Sequence, residues 1–430
     1  MKLKNLTFTS TVNSLFLLAA ITSFVSCHKK NSSVQPVREQ PLKVSLFAPA
    51  NGVAGATITI TGSGFSTIVA EDHVTINGKA ATVTAATSTS LSVSIPQGAG
   101  TGKIAVTIGA HTTASTDDFV YTYTVNTLAG SEAFGLKNGA DTTAQFQDAF
   151  GVATDAAGNI YVADSGNNSI RMITPAGVVT TIAGNGTVGM VNGMGQAARF
   201  NYPHGLVVDA AGNIYVVDAG NNRIRKISTA GEVSTLAGNG TAGYADGAGK
   251  DAEFDFPADI AIDPAGNLYV SDGNNKRIRK ITPTGEVSSL GDAIFSFPEG
   301  VAIDATGNLY VTDAGSGQIR KVSSAGAVTI FAGTGIFGNK DGAGAEAEFF
   351  NPEGIAIDAQ GNLFVGDLGN NLVRKITPAG IVSTVAGSSR GILNGPGPVA
   401  KFNGPSGIAV DGAGNIYVAD SSNSRIRKIQ

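Results

Sequence analysis

GLVVDAAGNIYVVDAGNNRIRKISTAGEVSTLAG, from Gly205 to Gly238, is one of six copies of the same phrase between residues 150 and 430. The first aspartate of each copy falls at Asp155, Asp209, Asp263, Asp304, Asp358 and Asp411, at spacings of 54, 54, 41, 54 and 53. Each copy holds four short apolar runs, here Leu206–Val208, Ile214–Val217, Ile224–Ile227 and Val233–Leu236. Runs of this length bounded by turn residues read as strands. Asp209-Ala210-Ala211-Gly212-Asn213 turns the first into the second, and Ser228-Thr229-Ala230-Gly231 the third into the fourth. Four-stranded units repeated at this period predict a β-propeller of six blades. The last copy stops at Gln430 before its fourth run, and that run stands alone at Val125-Asn126-Thr127-Leu128-Ala129-Gly130. Pairing of Val125–Leu128 beside Ile426–Ile429 would close the ring and offset the entropy of joining ends roughly 300 residues apart.

The rest of the composition agrees. Gly is abundant at 57, Trp is absent and 14% of residues are charged, which suits turn-rich β structure. The net charge of −4 supplies no overall positive field for nucleic acid. Lys2 and Lys4 precede an apolar run, Leu15–Val25, of signal-peptide length and too short to span a bilayer. It ends at Ser26-Cys27, and Cys27 is the only cysteine. A lone cysteine forms no internal disulfide. In this position Cys27 resembles the lipid-modified cysteine of bacterial lipoproteins, with Phe24-Val25-Ser26 a loose lipobox. That resemblance implies an exported protein held to the membrane by lipid alone, with the outer membrane the expected location. Residues 28–41 are polar and read as a tether.

Between residues 42 and 123 the long repeat is absent. Candidate strands are Thr57–Thr61, His73–Ile76, Leu91–Ile95, Lys103–Ile108 and Phe119–Tyr123, with Asn77-Gly78 a hairpin turn. ATITITGSGFS (56–66), VTINGKAA (74–81) and LSVSIP (91–96) resemble the IPT/TIG family of immunoglobulin-like domains. That resemblance implies a module that spaces or presents another domain. The later units, of the form GLVVDxxGNIYVVDxxNNRIRKI, resemble NHL repeats. The expected fold is therefore all-β: a six-bladed NHL-type β-propeller closed by an N-terminal strand and preceded by a small Ig-like β-sandwich. The expected domains are a lipoprotein signal peptide at 1–26, a flexible tether at 27–41, the sandwich at 42–123 and the propeller at 124–430.

Uniform positions read as structure. Tyr161, Tyr215, Tyr269, Tyr310, Phe364 and Tyr417 recur in the second strands as blade-to-blade packing. Asp and Arg stand seven apart in every copy, at Asp164/Arg171, Asp218/Arg225, Asp272/Arg279, Asp313/Arg320, Asp367/Arg374 and Asp420/Arg427. Across a short hairpin that spacing suggests bidentate structural pairs closing each blade. Gly184–Gly189, Gly238–Gly243 and Gly333–Gly338 fit the GxGxxG dinucleotide pattern, but that pattern needs a helix to follow it. Here each leads through a loop to the next strand.

The informative positions are those where copies disagree. Just before each first strand the series is Phe150, His204, Ala258, Glu299, Glu353 and Ser406, and Asp259 replaces a glycine present in the other copies. His204, Asp259, Glu299 and Glu353 are expected to converge on one channel mouth, as a solvated acidic rim or as a ligand site. A ligand site of this kind could hold a divalent cation or supply general acid and base. The loops leading into five blades are 15 or 16 residues long, whereas Leu290 to Phe295 is nearly direct and opens a notch beside Glu299. Peptidyl-hydroxyglycine lyases, with a similar propeller, need several histidine ligands, and only His204 lies in this one. Gluconolactonase-like enzymes place a Glu and Asn/Asp ligands on a metal at the mouth, where Glu299 or Glu353 matches the Glu alone. No cofactor is expected beyond a divalent cation at the mouth. The leading reading is a non-enzymatic, lipid-anchored, monomeric binding or scaffold protein whose partner is an envelope protein, a peptide or a polysaccharide. The alternative is a metal-dependent hydrolase or lactonase.

Overall fold

The computed structural model describes residues 40–290 and 294–430. The signal segment, Cys27, the tether up to residue 39 and the joint at residues 291–293 lie outside the described residues. By internal contacts, Pro41–Gln430 forms one compact unit. Among the described residues no helix is long and apolar enough to cross a membrane.

Residues 43–121 form an antiparallel immunoglobulin-like barrel around Ile58, Ile60, Leu91, Val93, Ile104, Val106 and Phe119, all sealed from solvent. Two of its strands, Lys43–Ala48 and Lys79–Thr87, were not legible in the sequence. The second is Ala- and Thr-rich, with one fully inward residue, Val83, so it shows little apolar alternation. It shifts register between Val83 and Ala85, which lets it pair with strands on both sides. Asn77 and Gly78 both take positive φ, 49° and 79°, as a two-residue hairpin turn requires.

The remaining chain makes six antiparallel sheets around one axis. In the second blade the strands are Pro203–Val208, Ile214–Asp218, Arg223–Ile227 and Glu232–Ala237. The turn chemistry is explicit. Asp209 Oδ1 accepts the Ala211 and Asn213 N–H groups, and Oδ2 accepts the Asn213 amide and the Tyr215 hydroxyl. These bonds hold Asp209 below the usual carboxylate range despite partial burial. Tyr161 packs with Leu206, Ile214 and Val216 of the following blade, so the second-strand rings lie between blades.

Ring closure is by strand exchange. Thr124–Ala129 pairs with Arg425–Ile429 in the order Ile426↔Ala129, Arg427↔Thr127, Lys428↔Asn126 and Ile429↔Val125. Each of the five long loops lays a two-residue strand, such as Gly193–Met194, on the outer edge of its blade. The fourth blade, behind the short joint, has four strands and keeps that edge bare. No α-helix follows the GxGxxG segments, which run into these edge strands and single 3-10 turns. The first strands begin at the loop face and run toward the opposite one. That opposite face meets the immunoglobulin-like domain, where Lys79 Nζ donates to Ala413 O at 3.3 Å. The loop face and its channel mouth therefore point away from it.

Candidate functional site

Six first strands pack side by side around the axis, and their third residues sit closest. A Cβ on Gly151 would lie 2.2 Å from His204 O, one on Gly300 2.3 Å from Glu353 O, and one on Gly407 2.2 Å from Phe150 O. Glycine is thus required by the approach of one blade to the next. Asp259 is the exception, and its carboxylate fills space at this ring: Oδ2 accepts the Val301 N–H at 3.1 Å. Asp259 lies beside the same junction that has the short joint.

The structure brings together all four residues singled out by sequence disagreement. His204, Asp259, Glu299 and Glu353 line one axial cavity with Phe150, Ser406 and the ring glycines. They lie inside the first strands, Pro203–Val208, Pro257–Ile262, Pro298–Ile303 and Pro352–Ile357, and not before them as expected. The reason is a register shift two residues into each strand, which lets pairing begin at the proline. The cavity volume is about 30 Å³, room for one or two waters. It is a narrow constriction in which Asp259, Glu299 and Glu353 are half-buried.

Desolvation dominates its electrostatics. Burial pushes Asp259 up to about 7 against two backbone hydrogen bonds. Burial and the charge of Asp259 push Glu299 up to about 8. Burial and Glu299 hold Glu353 well above the carboxylate range, with only Asn351 Nδ2 donating to it, at 3.2 Å. Glu353 Oε2 is sealed and has no hydrogen-bond partner. Burial pulls His204 down to about 4. Its Nδ1 lies 2.9 Å from Ala258 O, which fixes the proton on Nδ1 and leaves Nε2 as an acceptor. Among the described residues no three of His, Cys, Asp and Glu stand close enough to hold a metal ion.

Sequence reasoning missed a second ring immediately above. Asp148, Tyr202, Phe256, Asn351 and Gly404 each precede a first strand with φ between 47° and 69°. Asp, Asn and Gly tolerate that left-handed conformation; Tyr and Phe are strained in it. Tyr202 and Phe256 are held there by bonds from their N–H groups to Asn168 and Asn222 Oδ1. Their rings, with Phe150 and His204, form one aromatic cluster whose centroids are 4.1–6.3 Å apart. The signal in the sequence is an aromatic at a position that three copies fill with Asp148, Asn351 and Gly404, although the fourth blade also carries one there, Phe297. Tyr202→Gly is expected to leave unfolding stability within about 1 kcal/mol, because relief of roughly 1–2 kcal/mol of backbone strain offsets the lost ring. Urea denaturation checks this; a loss above about 3 kcal/mol would make the ring a packing element.

The Asp–Arg pairs are present in every blade, but the bidentate geometry is not. Arg171, Arg225, Arg279, Arg374 and Arg427 each give one Nη1 to Asp Oδ2 at 2.6–2.9 Å, and all are sealed from solvent. Oδ1 is already taken by a backbone N–H, as Asp218 Oδ1 is by Asn201. The remaining Arg donors anchor the long loops, as Arg225 Nη2 does to Val191 O and Asn192 Oδ1. In the fourth blade Arg320 uses Nε on Asp313 and is partly exposed. These residues build the blades and take no part in the mouth.

Residues 42–123 match the IPT/TIG domain family. Residues 200–227, 254–281, 295–322 and 402–429 match the NHL repeat family. A chloroplast protein of Arabidopsis thaliana, SUPPRESSOR OF QUENCHING 1, is 29% identical over 284 residues, covering 58% of this chain and 27% of that protein. The chain thus spans about a quarter of that relative's length. A structural genomics protein of Bacteroides thetaiotaomicron aligns with a TM-score of 0.64 and 22% identity over 91% of this chain and 99% of its own. An auxiliary nutrient binding protein of the same organism aligns at 0.58 and 20%, over 91% and 99%. At these identities the likeness shows the fold alone.

Proposed function

We propose, for a chain that carries one IPT/TIG domain and a closed ring of NHL repeats, that it is a lipid-anchored binding protein of the cell envelope. Cys27 would carry the lipid at the outer membrane, the immunoglobulin-like domain would present the propeller, and the loop face would take the partner. The observation that supports this is a crown of exposed apolar side chains, one on each long loop. Phe134 is 63% exposed, Met190 55%, Tyr244 62%, Phe337 54% and Leu393 44%. Large apolar groups gathered on one face of a soluble domain mark interaction surfaces. A nutrient-class ligand, polysaccharide or peptide, suits this reading, as for the solved neighbour described as a nutrient binding protein.

The hydrolase alternative finds less support. A cavity of about 30 Å³ does not seat a lactone ring at the carboxyl groups. A Tyr244→Ser/Phe337→Ser double variant tests the binding role by affinity capture from the source organism's envelope fraction. Capture by the unaltered protein should fall at least about tenfold in the variant, since two exposed aromatic anchors are worth on the order of 1–2 kcal/mol or more. Unchanged capture would remove the loop face from consideration.

A further inference from the structure

The polar side chains that converge on the mouth are three carboxyl groups, one neutral imidazole and the Ser406 hydroxyl, whose proton goes to the backbone at Phe150 O or Ala419 O. Asp259, Glu299 and Glu353 bring carboxyl groups from three successive blades, and Glu353 Oε2 has no partner. His204 presents the unprotonated Nε2, because its Nδ1–H is engaged by Ala258 O. The facing wall is aromatic, with Phe150 stacked on His204 at 4.1 Å and Tyr202 and Phe256 around them. No lysine or arginine lines the cavity. A pocket whose carboxyl groups become acceptors on ionisation, beside the Phe150 and His204 ring faces, is complementary to a cation that also donates hydrogen bonds.

Size and grouping narrow the cation. The cavity volume of about 30 Å³ matches one water-sized group, and a quaternary trimethylammonium head is several times larger. The described residues offer no three-ligand metal grouping. We infer that the channel mouth binds a primary ammonium group, seated between the Phe150 and His204 rings and the carboxyl groups of Asp259, Glu299 and Glu353. This deepens the reading of the loop face as the binding face and rests on it. Glu353 Oε2, which has no partner, is the acceptor left open for such a group. Amine entry would draw protons off the carboxyl groups, because a bound cation favours their charged forms.

Calorimetric titration of the purified chain tests this with two matched pairs of probes. Glucosamine against N-acetylglucosamine asks about an amino sugar, and Nα-acetyl-lysine amide against Nα-acetyl-norleucine amide asks about a lysyl side chain. In at least one pair the amine should bind and its neutral partner should not. Binding should release protons, seen as a dependence of the heat on the buffer's ionisation enthalpy. Affinity should rise about tenfold from pH 6.5 to pH 8. The titratable groups facing the site are Asp148, Tyr202, His204, Asp259, Glu299 and Glu353, and His204 stays neutral across that range. Glu353→Gln, near in shape and expected to fold, should weaken the amine at least tenfold. Equal binding of amine and neutral partner, absence of binding in both pairs, or an unchanged Glu353→Gln affinity would each overturn the inference. Capture of an envelope partner through Tyr244 and Phe337 is read separately, so the binding role and the ammonium site can fail independently.

Discussion

Replacing Arg225 with leucine should cost about 3–5 kcal/mol of unfolding free energy, the usual loss when one partner of a buried ion pair is removed. Asp218 would remain fully sealed with its charge facing an aliphatic side chain, supported only by the Asn201 N–H and the Asn221 amide. The loop held by Arg225 would lose its anchors at Val191 and Asn192, and Phe200 would lose the guanidinium stacked 5.1 Å from its ring. The fourth blade provides the control. Arg320 is 20% exposed, its joint is short, and Asp313 keeps the Ser296 and Phe297 N–H groups and the Ser316 hydroxyl. Arg320→Leu should therefore cost no more than about half as much. Guanidinium chloride denaturation of both variants reads the difference. Equal losses would mean that the loop anchors and burial have no part in the strength of these pairs.

Stability should fall as pH rises from 6.5 to 8. Asp259 and Glu299 hold their protons in the folded chain up to about 7 and about 8, while the unfolded chain releases them near 4. The folded state then binds more protons than the unfolded state, and stability declines with pH by about 1.4 kcal/mol per unit for each such group. Below pH 6.5 the trend is partly offset, because the unfolded chain takes up a proton that His204 refuses until about pH 4, which cancels the contribution of one carboxyl group. His204 therefore adds stability as pH rises through 4 to 6.5, opposite in sign to the carboxyl groups. Between 6.5 and 8 His204 is neutral in both states and only the carboxyl contribution remains. Coupling among the three acids reduces the sum, so a loss of roughly 1–3 kcal/mol is expected across the window. The Asp259→Asn/Glu299→Gln/Glu353→Gln variant should show none of it. Thermal unfolding across the window decides the matter; parallel curves for the two proteins would place the three carboxyl groups in water.

Most of the architecture was legible because it is written six times. Asp209 and Gly212 set a turn by local hydrogen bonding, and such chemistry survives without tertiary context. Even the displaced run at Val125–Ala129 announced its partner, since only a strand-exchanged ring needs it there. The barrel strand Lys79–Thr87 was not legible, because its inward positions are mostly alanine and threonine. The bidentate expectation failed for a reason no spacing reveals: a backbone N–H from another part of the blade occupies Oδ1. At the mouth, disagreement between copies singled out His204, Asp259, Glu299 and Glu353, which line one cavity. It did not reveal how narrow that cavity is. Nor did it draw in Tyr202 and Phe256, whose meaning depends on a backbone conformation that is strained for them and easy for Asp148, Asn351 and Gly404 in three of the other blades.

The positions where the blades disagree meet in a desolvated, carboxyl-lined mouth, and a carbon-detected NMR titration of the side-chain carboxyl groups tests that most directly. Asp259 is expected to titrate near 7 and Glu299 near 8, with Glu353 held well above the usual carboxylate range. Titration of all three near pH 4, as carboxyl groups in water do, would contradict it.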